Sequence, residues 1–263
     1  MSYIDTHCHF NFPIFTHNLT QSLTYIRQAQ LKAIITPATQ VGDFSLILTL
    51  AQTHPEIFPA LGLHPLWTPQ HHNDDLVEMK RLLDKHKEVI AIGEIGVDFY
   101  TAELAALASR QWEVLSSQLL LAREYHLPVI LHSRKSHDPL SKLLKETDLP
   151  AKGVIHGFTG SYHQAKRFID LGFYLGVGGS ISYPRAHKTR EALSKIPLEY
   201  LVLETDAPDM PLNGYQGEAN RPERVVVVCQ ILAELKGKSV ETVRESVWQN
   251  SLCLFPKLSA ALS

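Results

Sequence analysis

Two hydrophobic periods alternate along this chain of 263 residues. Short runs are apolar at nearly every position, as in Ala33-Ile34-Ile35, Val89-Ile90-Ala91-Ile92 and Leu127-Pro128-Val129-Ile130-Leu131. Between them lie stretches, such as Phe44 to Gln52 and Leu76 to His86, whose apolar residues return every three or four positions. The first kind predicts strands buried on both faces, the second helices with one apolar stripe. In chain order the pattern predicts a strand at Tyr3-Ile4-Asp5, a mostly polar helix over 21–30, and strands at 32–37 and 57–63 around the helix at 44–52. The strand at 89–92 runs into Gly93-Glu94, and the longest helix follows from about Ala102 to Tyr125, with Leu104, Ala108, Trp112, Leu115, Leu119 and Ala122 as its stripe. Strands at 127–131, 153–155, 172–177 and 200–204 come next, with a helix around 165–170, and a closing helix buries Val225, Val228, Cys229 and Leu232.

Doubly buried strands separated by helices predict a parallel sheet covered by helices. About eight such units in a chain near the roughly 250 residues of a (β/α)8 TIM barrel favour closure, with residues 1–263 as a single α/β domain. An open, doubly wound sheet is the alternative, but the first strand is not followed by a G-x-G-x-x-G turn.

Composition adds limits. At 44% hydrophobic and 20% charged residues the chain reads as a soluble protein with a large core. No run approaches the roughly 20 apolar residues needed to cross a bilayer, and the start lacks a basic-then-apolar leader, so the expected location is cytoplasmic. Cys8, Cys229 and Cys253 have no C-x-x-C spacing and are expected as reduced, buried small hydrophobes. With 25 Lys plus Arg against 27 Asp plus Glu there is no global basic surplus for gripping long nucleic acid. A phosphate ester would have to be held by local charge, which bound cations can supply.

The candidate chemistry begins at Asp5-Thr6-His7-Cys8-His9, where alternation along a strand puts His7 and His9 on one face. Imidazole is the commonest side-chain ligand of transition metals, and two of them do not fill a coordination shell. Glu94, His132, His156 and Asp206 also fall where predicted strands end. In a barrel those ends converge on one mouth, so these four imidazoles and two carboxylates would meet. Such a set suits two borderline cations, with one carboxylate between them, and favours zinc or manganese over magnesium.

These residues, together with Gly62-Leu63-His64-Pro65, Gly93-Glu94-Ile95-Gly96-Val97-Asp98, His132-Ser133-Arg134, His156-Gly157-Phe158-Thr159-Gly160 and Glu204-Thr205-Asp206-Ala207-Pro208, resemble the TatD-type metal-dependent hydrolases and deoxyribonucleases, the YjjV-like branch above all. The resemblance covers essentially the whole chain. It implies His7, His9 and Asp206 as ligands of one divalent metal ion, His132 and His156 of the other, and Glu94 as the bridge. It implies magnesium dependence as the family is usually described, and it puts His64 and Arg134 beside the substrate phosphate. The expected activity is hydrolysis of phosphodiester bonds at DNA ends, 3′-to-5′ in direction, or of another phosphate ester, with Asp206 orienting or deprotonating the water. Neither a membrane nor an obligate protein partner is expected. The alternative keeps the site and changes the bond, to an amidohydrolase-like or deacylase activity on a small ester, including the ester of a mischarged aminoacyl-tRNA. Glu204 and Asp5 are expected either to take part in catalysis or to orient ligands. Asp98 is expected to fix a loop, and Asn220 to cap a helix that opens with Pro222. Asp209 and Asn220-Arg221-Pro222 stand where many members have an aromatic residue and Asn-Glu-Pro, so substrate preference is where this chain departs from the pattern.

Overall fold

A computed structural model of the chain describes residues 2–262. Its strands are β1 Tyr3–Asp5, β2 Leu31–Pro37, β3 Ile57–Leu61, β4 Ala91–Asp98, β5 Val129–Arg134, β6 Gly153–Ile155, β7 Tyr174–Val177 and β8 Leu201–Leu203. They lie in sequence order in one eight-stranded sheet, each parallel to the next. The last strand returns to the first. Thr6 N–H donates to the Leu203 carbonyl at 2.9 Å, Asp206 N–H to the His7 carbonyl at 2.9 Å, and His9 N–H to the Ala207 carbonyl at 2.8 Å. This is the (β/α)8 TIM barrel, and these bonds across the seam exclude the open sheet.

The helices are α1 Pro13–Thr16, α2 Leu19–Gln28, α3 Val41–Thr53, α4 Asn73–Lys85, α5 Ala102–Ala106, α6 Ala108–Tyr125, α7 His137–Thr147, α8 Tyr162–Asp170, α9 His187–Lys195, α10 Val225–Lys236, α11 Val240–Leu254 and α12 Pro256–Leu262. None is long and apolar enough to cross a membrane among the described residues. Two cores result. One lies between sheet and helices and includes Val225, Val228, Cys229 and Leu232 of α10. The other unites Ile4, Ala33, Ile35, Ile130, Val154 and Val202 with Leu254, Phe255 and Leu258 from the last helices. These last three come from beyond β8 and pack against early residues of the strands. The barrel is thus closed at the end where its strands begin and open where they finish.

Three features depart from the pattern. The helix expected over 102–125 is two, broken at Leu107, and its buried face carries Gln111 and Gln118 beside Leu115, Leu119 and Ala122, while Leu104, Ala108 and Trp112 are only partly buried. The glutamines clip strand ends: Gln111 accepts from Asp98 N–H and donates to its carbonyl, and Gln118 does the same for Leu63. Glu94 and His132 do not end strands, since β4 continues to Asp98 and β5 to Arg134. Instead, the β4–β5 register shifts between Ile92 and Ile95, an irregularity of the kind that re-aims a side chain. A Cβ on Gly62 would lie 2.5 Å from the Gly93 carbonyl carbon, so only glycine lets the chain beyond β3 pass this close to that irregularity. Finally, Cys8 and Cys229 are buried as expected, whereas Cys253 is exposed on α11.

Candidate active site

At the open mouth the side chain of Glu94 reaches five imidazoles, and its two oxygens divide them. Oε2 faces His7 Nε2 at 3.1 Å and His9 Nε2 at 3.5 Å. Oε1 faces His156 Nε2 at 2.8 Å, His64 Nε2 at 3.0 Å and His132 Nδ1 at 3.1 Å. Asp206 Oδ1 joins the first group, 3.5 Å from His7 and 3.7 Å from His9. Six of the sequence-derived candidates therefore meet around one carboxylate, and His64 lies among them.

The second nitrogen of each ring decides what the first is free to do. His9 Nδ1 lies 3.3 Å from the Pro37 carbonyl, which requires a proton there and leaves Nε2 a lone pair. His132 Nε2 lies 3.0 Å from Asp98 Oδ2, so its Nδ1 carries the lone pair. His156 turns Nδ1 towards Glu204 Oε1 at 3.6 Å. His64 is the opposite case. Its Nδ1 accepts the Leu66 N–H at 3.1 Å, so in the neutral ring the proton sits on Nε2 and is donated to Glu94. Burial pushes the His64 pKa down to about 4, so this neutral donor persists at pH 7.

The donor set fits metal ions. Ligands about 2.0–2.1 Å from a tetrahedral ion lie roughly 3.3 Å from one another, and His7 Nε2 and His9 Nε2 are 3.4 Å apart. His7, His9 and Glu94 are mutually close enough to share one ion, as are His7, His156 and Asp206. His64, Glu94 and His132 are equally close, but the occupied Nδ1 and protonated Nε2 leave His64 without a lone pair to give. Burial alone would raise the Glu94 pKa, and the His156, His64 and His7 rings overcome it, holding the carboxyl well below its ordinary range. Burial pushes Asp206 up to about 7.

The supporting residues act behind the rings. Glu204 is fully buried, accepts the Gly157 N–H, and rests where a Cβ on Gly176 would fall 2.1 Å from its Oε2. It is shut off from solvent and faces His156 at Nδ1, the nitrogen turned away from Glu94. Asp5 accepts from His7 N–H at 3.2 Å and from Thr205 N–H and Oγ1 at 3.0 and 2.6 Å, which fastens β1 to the segment before Asp206. Asp98 fixes its loop, accepting the Tyr100 N–H at 2.7 Å, and holds His132 as well. Asn220 is not a helix cap. It is buried and donates to the Thr205 carbonyl at 2.8 Å and the Met210 carbonyl at 3.2 Å, while the short turn at Pro222–Arg224 is flanked by Arg221 without a side-chain cap. Asn220 thus steadies the backbone beside Asp206, whose φ of 57° is left-handed. Arg221 faces elsewhere, bonded to Glu223 at 2.6 Å and lying over Tyr25, and Asp209 is exposed. Arg134 lies outside the cluster, with its guanidinium 3.5 Å from the centre of the Tyr100 ring.

Sequence reasoning missed Gln111 and Gln118, because a buried glutamine at helical spacing reads as a polar interruption. It missed the role of Asn220 because its partners lie on a loop without periodicity.

Comparison with known proteins identifies the family. Residues 4–256 match the family model described as TatD related DNase. The uncharacterized metal-dependent hydrolase YjjV of Escherichia coli is 46% identical over 96% of this chain and 97% of its own length. Human deoxyribonuclease TATDN3 is 31% identical over 97% of this chain and 95% of its own. The crystal structure of E. coli YjjV superposes with a TM-score of 0.94, covering 97% of this chain and 98% of that one. A TatD-family hydrolase from Entamoeba histolytica shares the fold at 23% identity with a TM-score of 0.84. The chain belongs to the TatD family of metal-dependent hydrolases.

Proposed function

We propose that the chain hydrolyses phosphodiester bonds at DNA ends in the 3′-to-5′ direction, using two divalent ions. His7, His9 and Asp206 would hold one ion, His132 and His156 the other, with Glu94 between them. The observation that carries this reading is the division of Glu94: each oxygen faces a different group of imidazole nitrogens. Four imidazoles in the donor set favour zinc or manganese over magnesium.

Bound there, the ions would lower the pKa of water and offset charge on the phosphoryl oxygens. The chain's own groups do the rest. Asp206, its side chain 16% exposed at the mouth, accepts the proton of the attacking water. His64 would turn its Nε2–H from Glu94 to a phosphoryl oxygen once ions hold that carboxylate, its other nitrogen being engaged by the backbone. Arg134 presents a planar set of donors at the rim for a non-bridging oxygen. Asp98 and Glu204 keep the His132 and His156 rings turned so that one lone pair of each faces inward.

The test is activity of manganese- or zinc-loaded protein on 5′-labelled single-stranded DNA, the same strand in a duplex, and an aminoacyl ester, run in parallel. Stepwise shortening from the 3′ end is the expected result. Turnover of the ester with DNA left intact would overturn the phosphodiester reading.

A further inference from the structure

Beside the metal-ligand cluster lies a second cleft, lined by Tyr100, Arg134, Lys135, Lys188 and Thr159. It continues the site along the chain, since Ser133 and Arg134 follow His132 on β5, and Thr159 follows His156 by three residues. Its floor is fastened. His137 at the start of α7 lies 2.8 Å from Ser133 Oγ through Nδ1 and 3.1 Å from the Thr159 carbonyl through Nε2, joining the two walls.

The charge in this cleft is unbalanced. Arg134, Lys135 and Lys188, all lining this cleft, enter no ion pair found among the described residues. The acid in the cleft, Asp138, is engaged by Arg167 at 2.7 Å. Two of the cations are held in place without being neutralised. Arg134 and Lys135 lie 3.5 and 4.9 Å from the centre of the Tyr100 ring, and Lys135 also donates to the Tyr100 carbonyl at 3.2 Å. Tyr100 itself is 52% exposed, and its N–H goes to Asp98, the residue that holds His132. A ring face orders a cation while leaving its charge available to an anion. Three cations gathered beside the site, with the acid of the cleft already engaged, leave a local positive field that attracts anions.

We infer that this cleft holds the part of the DNA strand beyond the scissile phosphate, Lys135 and Lys188 each taking a backbone phosphate. The inference rests on the phosphodiester reading above and adds to it the groups that hold the rest of the strand. Tyr100 is a positioning residue here, since it acts through the two cations laid over it.

The experiment compares the metal-loaded wild-type chain with K135A/K188A and with K32A/K238A. The control pair removes the same charge away from the mouth, at the start of β2 and beside Leu198 and Glu199. The substrates are octathymidylate and bis(4-nitrophenyl) phosphate. For K135A/K188A the ratio of kcat/KM on the octamer to that on the small diester should fall at least about tenfold through KM. The slope of log Kd against log salt for fluorescein-labelled octathymidylate should become shallower by about 0.7 for each phosphate that the cleft no longer neutralises. An unchanged ratio and slope, or equal losses in K32A/K238A, overturn the cleft as a strand site. If the wild-type chain cleaves neither substrate, the phosphodiester reading fails, and the salt slopes of the three proteins still decide whether the cleft holds the strand.

Discussion

Glu94 is the residue on which the site turns, because each of its oxygens serves a different set of rings. Glu94→Gln replaces that charge with an amide and should empty both ion positions and abolish turnover, while His132→Ala should mainly empty one. Metal content of the two purified variants checks this, and full occupancy in Glu94→Gln would show that it bridges nothing. Protonation opposes metal loading here. Burial alone would drive His156 neutral, but Glu94 and Glu204 hold its pKa well above the ordinary histidine value, and His9 and His132 are raised as well. Groups raised on folding stabilise the metal-free chain below about pH 6.5 and lose that contribution as pH climbs through their raised values. An entering ion must displace those protons, so affinity should rise with pH above 6.5 and binding at pH 7 should release protons. Calorimetry of manganese binding in two buffers of different ionisation heat measures this, and a heat independent of buffer would contradict it. Arg134→Ala should lower activity on DNA by roughly ten- to a thousandfold with metal content unchanged. Arg134→Lys should recover part of it, since a point charge lacks the planar fork. At this scale the side chains that gather around Glu94 were legible as His and acidic residues at or near the ends of apolar runs. The distinction between His64 as donor and His132 as lone-pair ring was not, because it depends on a backbone N–H and on Asp98, which no local pattern brings together.

Elements explain why those residues are held so closely. Gly176 on β7 leaves room for the Glu204 carboxylate, and a methyl placed 2.1 Å from Oε2 must displace either the carboxylate or the strand. Gly176→Ala should therefore cost about 1–3 kcal/mol, the range of overpacking in a filled core, and should lower metal occupancy on the His156 side. Thermal melting and metal analysis report the two effects, and a variant with wild-type melting would show the cradle to be slack. Strand and helix identities followed from periodicity: β5, β6 and the α10 stripe lie where the apolar runs and the recurring valines place them. Element ends did not. The extension of β4 past Glu94 and the break at Leu107 depend on neighbouring strands and on glutamines that clip strand ends, and these are tertiary interactions.

The whole molecule has a core independent of its ligands, since the apolar cluster closed by Leu254, Phe255 and Leu258 contains none of the metal-binding candidates. Chelation should therefore stop activity and leave the far-ultraviolet circular dichroism of the barrel nearly unchanged at room temperature, unlike a zinc finger, which unfolds without its ion. Unfolding of the chelated protein would contradict this. Closure of the barrel was legible from the count of units, but what joins its ends was not: His7 and Asp206, nearly two hundred positions apart, are hydrogen-bonded neighbours across the seam. A chain made from its amino end therefore carries His7 and His9 long before Asp206 exists, and the segment that Asp5 and Asn220 steady is among the later parts to be synthesised. A nascent chain that has not yet reached the seam has the imidazoles without Asp206, so on the proposed roles a product terminated before Asp206 should be inert.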